Sequence, residues 1–181
     1  MPLYFFARDL GSHARGFTPR DGASDTRLPT SGVEEIYNYR EVDATLATAG
    51  QPTEEQLFSV ARDGFQVVIN LALHGDPRYS LKDETASVTS LGMEYIHIPV
   101  DFQSPTESDL QKFFAAMDAH RQQKVLVHCA ANKRVTAFVG LYRTIKLGWP
   151  VDKAFALMRS VWEPDPVWAA FIEEQNSKNG H

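Results

Sequence analysis

The stretch Lys124-Val125-Leu126-Val127-His128-Cys129-Ala130-Ala131-Asn132-Lys133-Arg134-Val135-Thr136-Ala137-Phe138 decides how this chain folds. Val125, Leu126 and Val127 form a short apolar run, the pattern of a strand buried on both faces. Small and polar residues follow. Ala137, Phe138, Leu141, Tyr142 and Ile145 then recur at helical spacing, which predicts a helix over about 135–147. A buried strand running through a short loop into a helix is half of a βαβ unit.

The same alternation extends outward. Apolar runs predict strands at 36–39, 46–49, 67–71, 95–100 and 124–128. Thr53 with Gln56 three residues later is a capping box, opening a helix that carries Leu57, Val60 and Ala61 and ends at Gly64. A second helix is predicted over 81–91, closed by Gly92. Pro105-Thr106-Glu107-Ser108-Asp109 starts a third, with Leu110, Phe113, Phe114 and Met117 as its apolar stripe. Gly148-Trp149-Pro150 breaks the helix after the central stretch, and two more helices are expected at 151–161 and 166–174. Strands alternating with helices give an α/β fold: a mostly parallel central sheet with helices on both faces.

Composition excludes several classes. The chain has 181 residues, enough for one ordinary domain. Residues 1–35 read as an N-terminal arm, with an apolar start at 1–7 and linker-like Gly, Ser, Arg, Pro and Asp over 11–32. Residues 36–181 read as the single domain. Lys plus Arg number 18 against 23 Asp plus Glu, a net charge of −5, which argues against nucleic acid as a partner. No apolar run approaches the about 20 residues a membrane-spanning helix needs. Cys129 is the single cysteine, so no internal disulfide forms, and a reducing, cytoplasmic compartment is expected. His13, His74, His97, His120 and His181 lack metal-ligand spacing, and no metal or cofactor is expected.

Ligands of parallel sheets bind beyond the carboxyl ends of strands, where Cys129 stands. Successive backbone amides of Ala130, Ala131, Asn132, Lys133, Arg134 and Val135, entering a helix N-terminus, make an oxyanion site. A thiolate beside such a cradle is a nucleophile facing its substrate. The loop His74-Gly75-Asp76-Pro77-Arg78 follows another strand end on the same side, where Arg78 could touch an anionic substrate.

The sequence from Val127 to Thr136 resembles the phosphate-binding signature of the cysteine-dependent protein tyrosine and dual-specificity phosphatases: His-Cys, five residues, Arg, then Ser or Thr. The likeness covers about 36–174. It includes Gly50-Gln51-Pro52 and Val68-Ile69-Asn70-Leu71, which look like the bacterial β-lactamase-hydrolase-like, tyrosine-phosphatase-like group. It implies a dual-specificity-phosphatase-like fold and hydrolysis of a phosphate monoester through a phosphocysteine. It also implies roles: Cys129 as nucleophile, Arg134 as oxyanion clamp, Asp101 as general acid, His128 as a brace for the loop and Thr136 as the hydroxyl serving the leaving thiolate.

Two positions depart from the signature. Asn132 replaces the usual glycine, and asparagine is the non-glycine residue best suited to positive φ. Val135 stands where the arginine is expected, with Arg134 one position early, and one residue rotates a helical side chain by about 100°. Besides a phosphatase, two readings therefore stay open: a non-catalytic oxyanion-binding pseudophosphatase, and a sulfurtransferase using a persulfide.

Overall fold

The computed structural model describes residues 32–79 and 81–180. Five strands form one sheet: β1 (Arg40–Glu41), β2 (Leu46–Ala49), β3 (Val67–Asn70), β4 (Glu94–His97) and β5 (Val125–His128). Their order is β1-β2-β5-β3-β4, parallel throughout except for the β1 edge, which runs antiparallel to β2. Register aligns the strand ends. Ala49 and Asn70 both lie opposite His128, and His97 lies opposite Asn70, so the chain leaves β2, β5, β3 and β4 at one level.

Period-2 alternation divides the core into two layers. Val67, Ile69, Val125 and Val127 pack with Leu110 and Phe113 of α3 (Glu107–Ala119) and with Phe138 and Leu141 of α4 (Lys133–Leu141). Met158 of α6 (Ala156–Arg159) and Trp168 and Phe171 of α7 (Pro166–Lys178) complete that layer. Val68, Leu126, Ala47 and Ala49 face the other way, against Leu57 and Val60 of α1 (Glu54–Arg62) and Val88 of α2 (Glu84–Ser90). The Thr53–Gln56 capping box closes as expected, each side chain bonding the other's backbone amide.

Several boundaries differ from the sequence reading. Residues 36–39 are not a strand. Val33–Glu35 is a 3-10 turn, buried Ile36 caps it, and Asn38 at φ +52° turns the chain, so extended pairing begins only at Arg40. The second helix starts at Glu84 because the Asp83 side chain accepts the Ala86 amide and caps it there. The helix after the central stretch begins earlier, at Lys133, and after Leu141 continues as a π-helical turn, Tyr142–Lys146. The helix expected at 151–161 is two short pieces, α5 (Val151–Ala154) and α6, divided at Phe155. Of the expected N-terminal arm, residues 1–31 lie outside the described residues. No helix among the described residues is long and apolar enough to cross a membrane.

Candidate active site

Cys129 is the first residue beyond β5, buried to 1% exposure, and its amide donates to Ala49 O at 3.2 Å. The loop then leans on the β2 exit. Gln51 N–H donates to Ala130 O at 3.2 Å, and Gly50 bridges Ala131. A Cβ on Gly50 would stand 2.9 Å from Ala130 O and 2.8 Å from the Tyr37 ring, so only glycine permits this approach. Asn132 takes φ +64° and caps α4. Its Nδ2 donates to Asn38 O (2.8 Å) and Thr48 Oγ1 (3.0 Å), while Asn38 Nδ2 donates to Ala131 O at 3.2 Å. With the loop carbonyls turned back to the sheet, the amides of Ala130 through Val135 have no acceptor among the described residues. That leaves six consecutive donors around one turn.

A 310 Å3 cavity opens at this loop, lined by Cys129, Ala130, Ala131, Lys133, Arg134, Asp76, Arg78, Phe102 and Tyr37. Arg134 is buried to 5% exposure, yet it lines the cavity. It donates from one terminal nitrogen to Asp76 Oδ2 at 3.0 Å and lies 5.5 Å from the Phe102 ring centre, and its Nε is buried without a partner among the described residues. Val135 is fully buried in the larger apolar layer. Because α4 begins at Lys133, residue 134 turns toward the cavity and residue 135 toward the core.

The remaining expected residues divide. His128 is fully buried, and its Nε2 lies 2.6 Å from Glu84 Oε1. Thr136 donates its hydroxyl to Asn132 O (2.8 Å) and accepts from Trp162 Nε1 (3.2 Å), and it has no hydrogen bond to Cys129 among the described residues. Asp101 is exposed and does not line the cavity; its carboxylate accepts the Gln103 amide at 2.9 Å, while its neighbour Phe102 is in the wall. The Phe102 loop is held from behind, where Trp168 Nε1 donates to Phe102 O at 2.9 Å. Asp76 enters the site in Asp101's stead, bonded to Arg134 across 58 positions of sequence. Only the placement of its loop after a strand end hinted at this.

Beneath the loop lies a second centre that sequence reasoning missed. Glu84 is 1% exposed and accepts from His128 Nε2 (2.6 Å), Asn70 Nδ2 (2.9 Å) and Gln51 Nε2 (3.4 Å). Burial by itself would raise the Glu84 carboxyl, but the attraction of and hydrogen bond from His128, with the bond from Gln51, hold it below the ordinary value. Burial and the Glu84 charge push the Tyr79 phenol up to about 12. Asn70 Oδ1 also accepts the Ala72 amide at 2.7 Å, so this centre ties the exits of β3 and β5 together. No group of histidine, cysteine and carboxylate side chains suited to a metal ion occurs among the described residues.

A cysteine and an arginine joined by a strand-to-helix loop, on a mostly parallel sheet flanked by helices, define the dual-specificity-phosphatase-like class of fold. A family model described as DSP-PTPase phosphatase fused to NAD+ kinase matches residues 26–167, and the chain belongs to that family. Beta-lactamase hydrolase-like proteins of two Xylella fastidiosa strains are 34% identical over 119 residues, which is 65% of this chain and 27% of theirs. The chain thus spans about a quarter of the length of those relatives. A solved DUF442 protein of Shewanella putrefaciens CN-32, named as a candidate phosphatase, is 36% identical with a TM-score of 0.74, covering 82% of this chain and 97% of that one. Tk-PTP, solved in its active form, shares the fold at 22% identity and a TM-score of 0.66, covering 78% and 97%.

Proposed function

We propose that the protein is a cysteine-dependent phosphatase that hydrolyses a phosphate monoester through a phosphocysteine. The observation that carries this reading is one cavity lined by both Cys129 and Arg134, whose buried guanidinium is incompletely bonded. In this mechanism the Cys129 thiolate attacks phosphorus, the P–O bond to the leaving group breaks, and that oxygen takes a proton. The amides of Ala130 to Val135, with Arg134, hold the three equatorial oxygens as charge develops on them. Water then attacks the phosphocysteine, releasing inorganic phosphate and returning the thiolate.

Asp101 is assigned as proton donor. It lies one residue from the cavity wall at Phe102, and to serve in this role its carboxyl must reach the leaving-group oxygen. Asp76 has a different part. Bonded to Arg134, it occupies the guanidinium until a phosphoryl group displaces it, and so it competes with substrate. His128, held through Glu84, braces the start of the loop, and Thr136 fixes its end through Asn132 O. The chemistry calls for no metal or cofactor, and the single cysteine fits a reducing cytoplasm.

Turnover of an aryl phosphate should vanish in Cys129→Ser and fall at least about 100-fold in Arg134→Lys, which loses the forked donor. Unchanged turnover in Cys129→Ser refutes the mechanism. The Arg134–Asp76 bond favours a second reading, an oxyanion-binding pseudophosphatase, because the cation is already compensated. Phosphate binding at the loop without turnover of any phosphoester would establish that alternative, and transfer of sulfur from thiosulfate to cyanide would establish a sulfurtransferase.

A further inference from the structure

The cavity carries two cations that the reaction above does not use. Arg78 and Lys133 both line it, and neither has a carboxylate partner or a side-chain hydrogen bond among the described residues. Arg134, by contrast, is matched by Asp76. Both unused cations are seated on aromatic rings. The Arg78 guanidinium lies 4.5 Å from the centre of the Tyr37 ring, and Lys133 Nζ lies 5.4 Å from the Trp162 ring and 6.0 Å from the Phe102 ring.

This arrangement differs from ordinary solvated surface charge. A ring beneath a cation restricts its side chain without using its N–H groups, so all five donors of Arg78 and all three of Lys133 remain available. The ordering cost that makes exposed ion pairs weak is thereby partly met before a ligand arrives. The two cations also sit against a chain whose overall charge is −5, so this positive site is local. Arg78 and Lys133 line the same cavity as Cys129 and Arg134, so an anion held by them sits in one small compartment with the phosphoryl group on the cradle. A 310 Å3 cavity is at the small end of ligand sites, which run from about 300 to 1,000 Å3, and suits a compact molecule better than an extended peptide.

We propose that Arg78 and Lys133 form a second anion subsite, and that the substrate is a compact polyol or sugar ester carrying a second phosphate beside the one removed. This inference rests on the phosphatase reading for the word substrate, but the subsite itself can be measured as binding. The experiment uses full-length Cys129→Ser protein and calorimetric titration with inositol 1-phosphate and inositol 1,4-bisphosphate. Two added charge-assisted contacts should make the bisphosphate bind about 30-fold more tightly, which is about 2 kcal/mol. Arg78→Gln should remove most of that advantage while leaving the monophosphate affinity within a few-fold. The same headgroup chemistry presented as phosphatidylinositol 4-phosphate in phosphatidylcholine vesicles identifies the source: tighter binding there than in solution assigns a lipid headgroup, and equal binding a soluble ester. Equal affinity for mono- and bisphosphate overturns the proposal, as does tighter binding of a doubly phosphorylated peptide than of the bisphosphate. Selective bisphosphate binding by a protein whose wild type hydrolyses neither ester would leave the subsite standing and remove the phosphatase reading alone.

Discussion

Replacing Glu84 with alanine tests whether the centre beneath the loop holds the fold. The carboxylate is buried and accepts three donors, from His128, Asn70 and Gln51. An ionised carboxylate can only accept, so His128 Nε2 carries the proton of their 2.6 Å contact. The three donors do not suffer equally. Asn70 Nδ2 keeps the Tyr95 hydroxyl at 3.1 Å, and Gln51 Nε2 keeps Pro52 O at 3.3 Å. His128 keeps nothing, since its Nδ1 already has no partner among the described residues and the ring is fully buried. Removing one partner of a buried pair costs about 3–5 kcal/mol. Against a total stability of about 5–15 kcal/mol that is a large share. For a chain of this length it corresponds to a fall in Tm of about 6–20 °C. Glu84→Gln keeps an acceptor of the same shape and should cost only about 1–2 kcal/mol. The readout is urea unfolding at pH 7 with unchanged m values. An alanine variant within about 1 kcal/mol of wild type shows that the Glu84–His128 contact does not hold the fold, given that a lone unsatisfied buried group already costs that much.

The same residue fixes a pH dependence. Its folded pKa is below the ordinary 4.5, so the folded state binds fewer protons than the unfolded chain as the group titrates. Its contribution is complete above 4.5 and is lost as pH falls through the lower, folded value. Unfolding free energy measured from pH 7 to pH 3 should drop less steeply in Glu84→Gln than in wild type, and parallel curves contradict the assignment. Asn132→Gly and Asn132→Val both lose the bonds to Asn38 and Thr48, but only the β-branched residue resists φ +64°, so Asn132→Val should be the less stable of the two by about 1–2 kcal/mol; thermal unfolding of the pair decides it. Gly140→Ala puts a Cβ 2.4 Å from the Phe155 ring, where α4 meets the α5–α6 junction, and should destabilise by about 1–3 kcal/mol. Equal or higher Tm in that variant would show that Phe155 moves freely. The two aspartates separate kinetically: Asp101→Asn should lower kcat by about 100-fold. Asp76→Asn should lower KM by freeing Arg134, and the reverse assignment follows if Asp76→Asn is the variant that loses kcat.

Which features were readable in the chain follows from the range over which they act. The capping box at Thr53, the positive φ of Asn132 and the apolar strands β2, β3 and β5 are local, each fixed by residues within a turn or a few positions. The reading of 36–39 as a strand failed because the apolar spacing of Ile36, Tyr37 and Tyr39 belongs to a turn around Asn38, where burial of Ile36 comes from packing and not from pleating. The break at Phe155 had no signal in the sequence, since neither proline nor glycine marks it.

Periodicity and strand-to-helix punctuation are local properties, so the parallel α/β architecture and the loop that carries the cysteine were readable along the chain. Which residues meet at that loop is set by contacts between distant segments. Arg134 and Asp76 are 58 positions apart, and His128 and Glu84 are 44 apart. Their pairing depends on the register that sets the ends of β3 and β5 at one level, which no local pattern encodes. That register, with α4 starting at Lys133, placed an arginine one residue early in the cavity that Cys129 also lines and sent Val135 into the core.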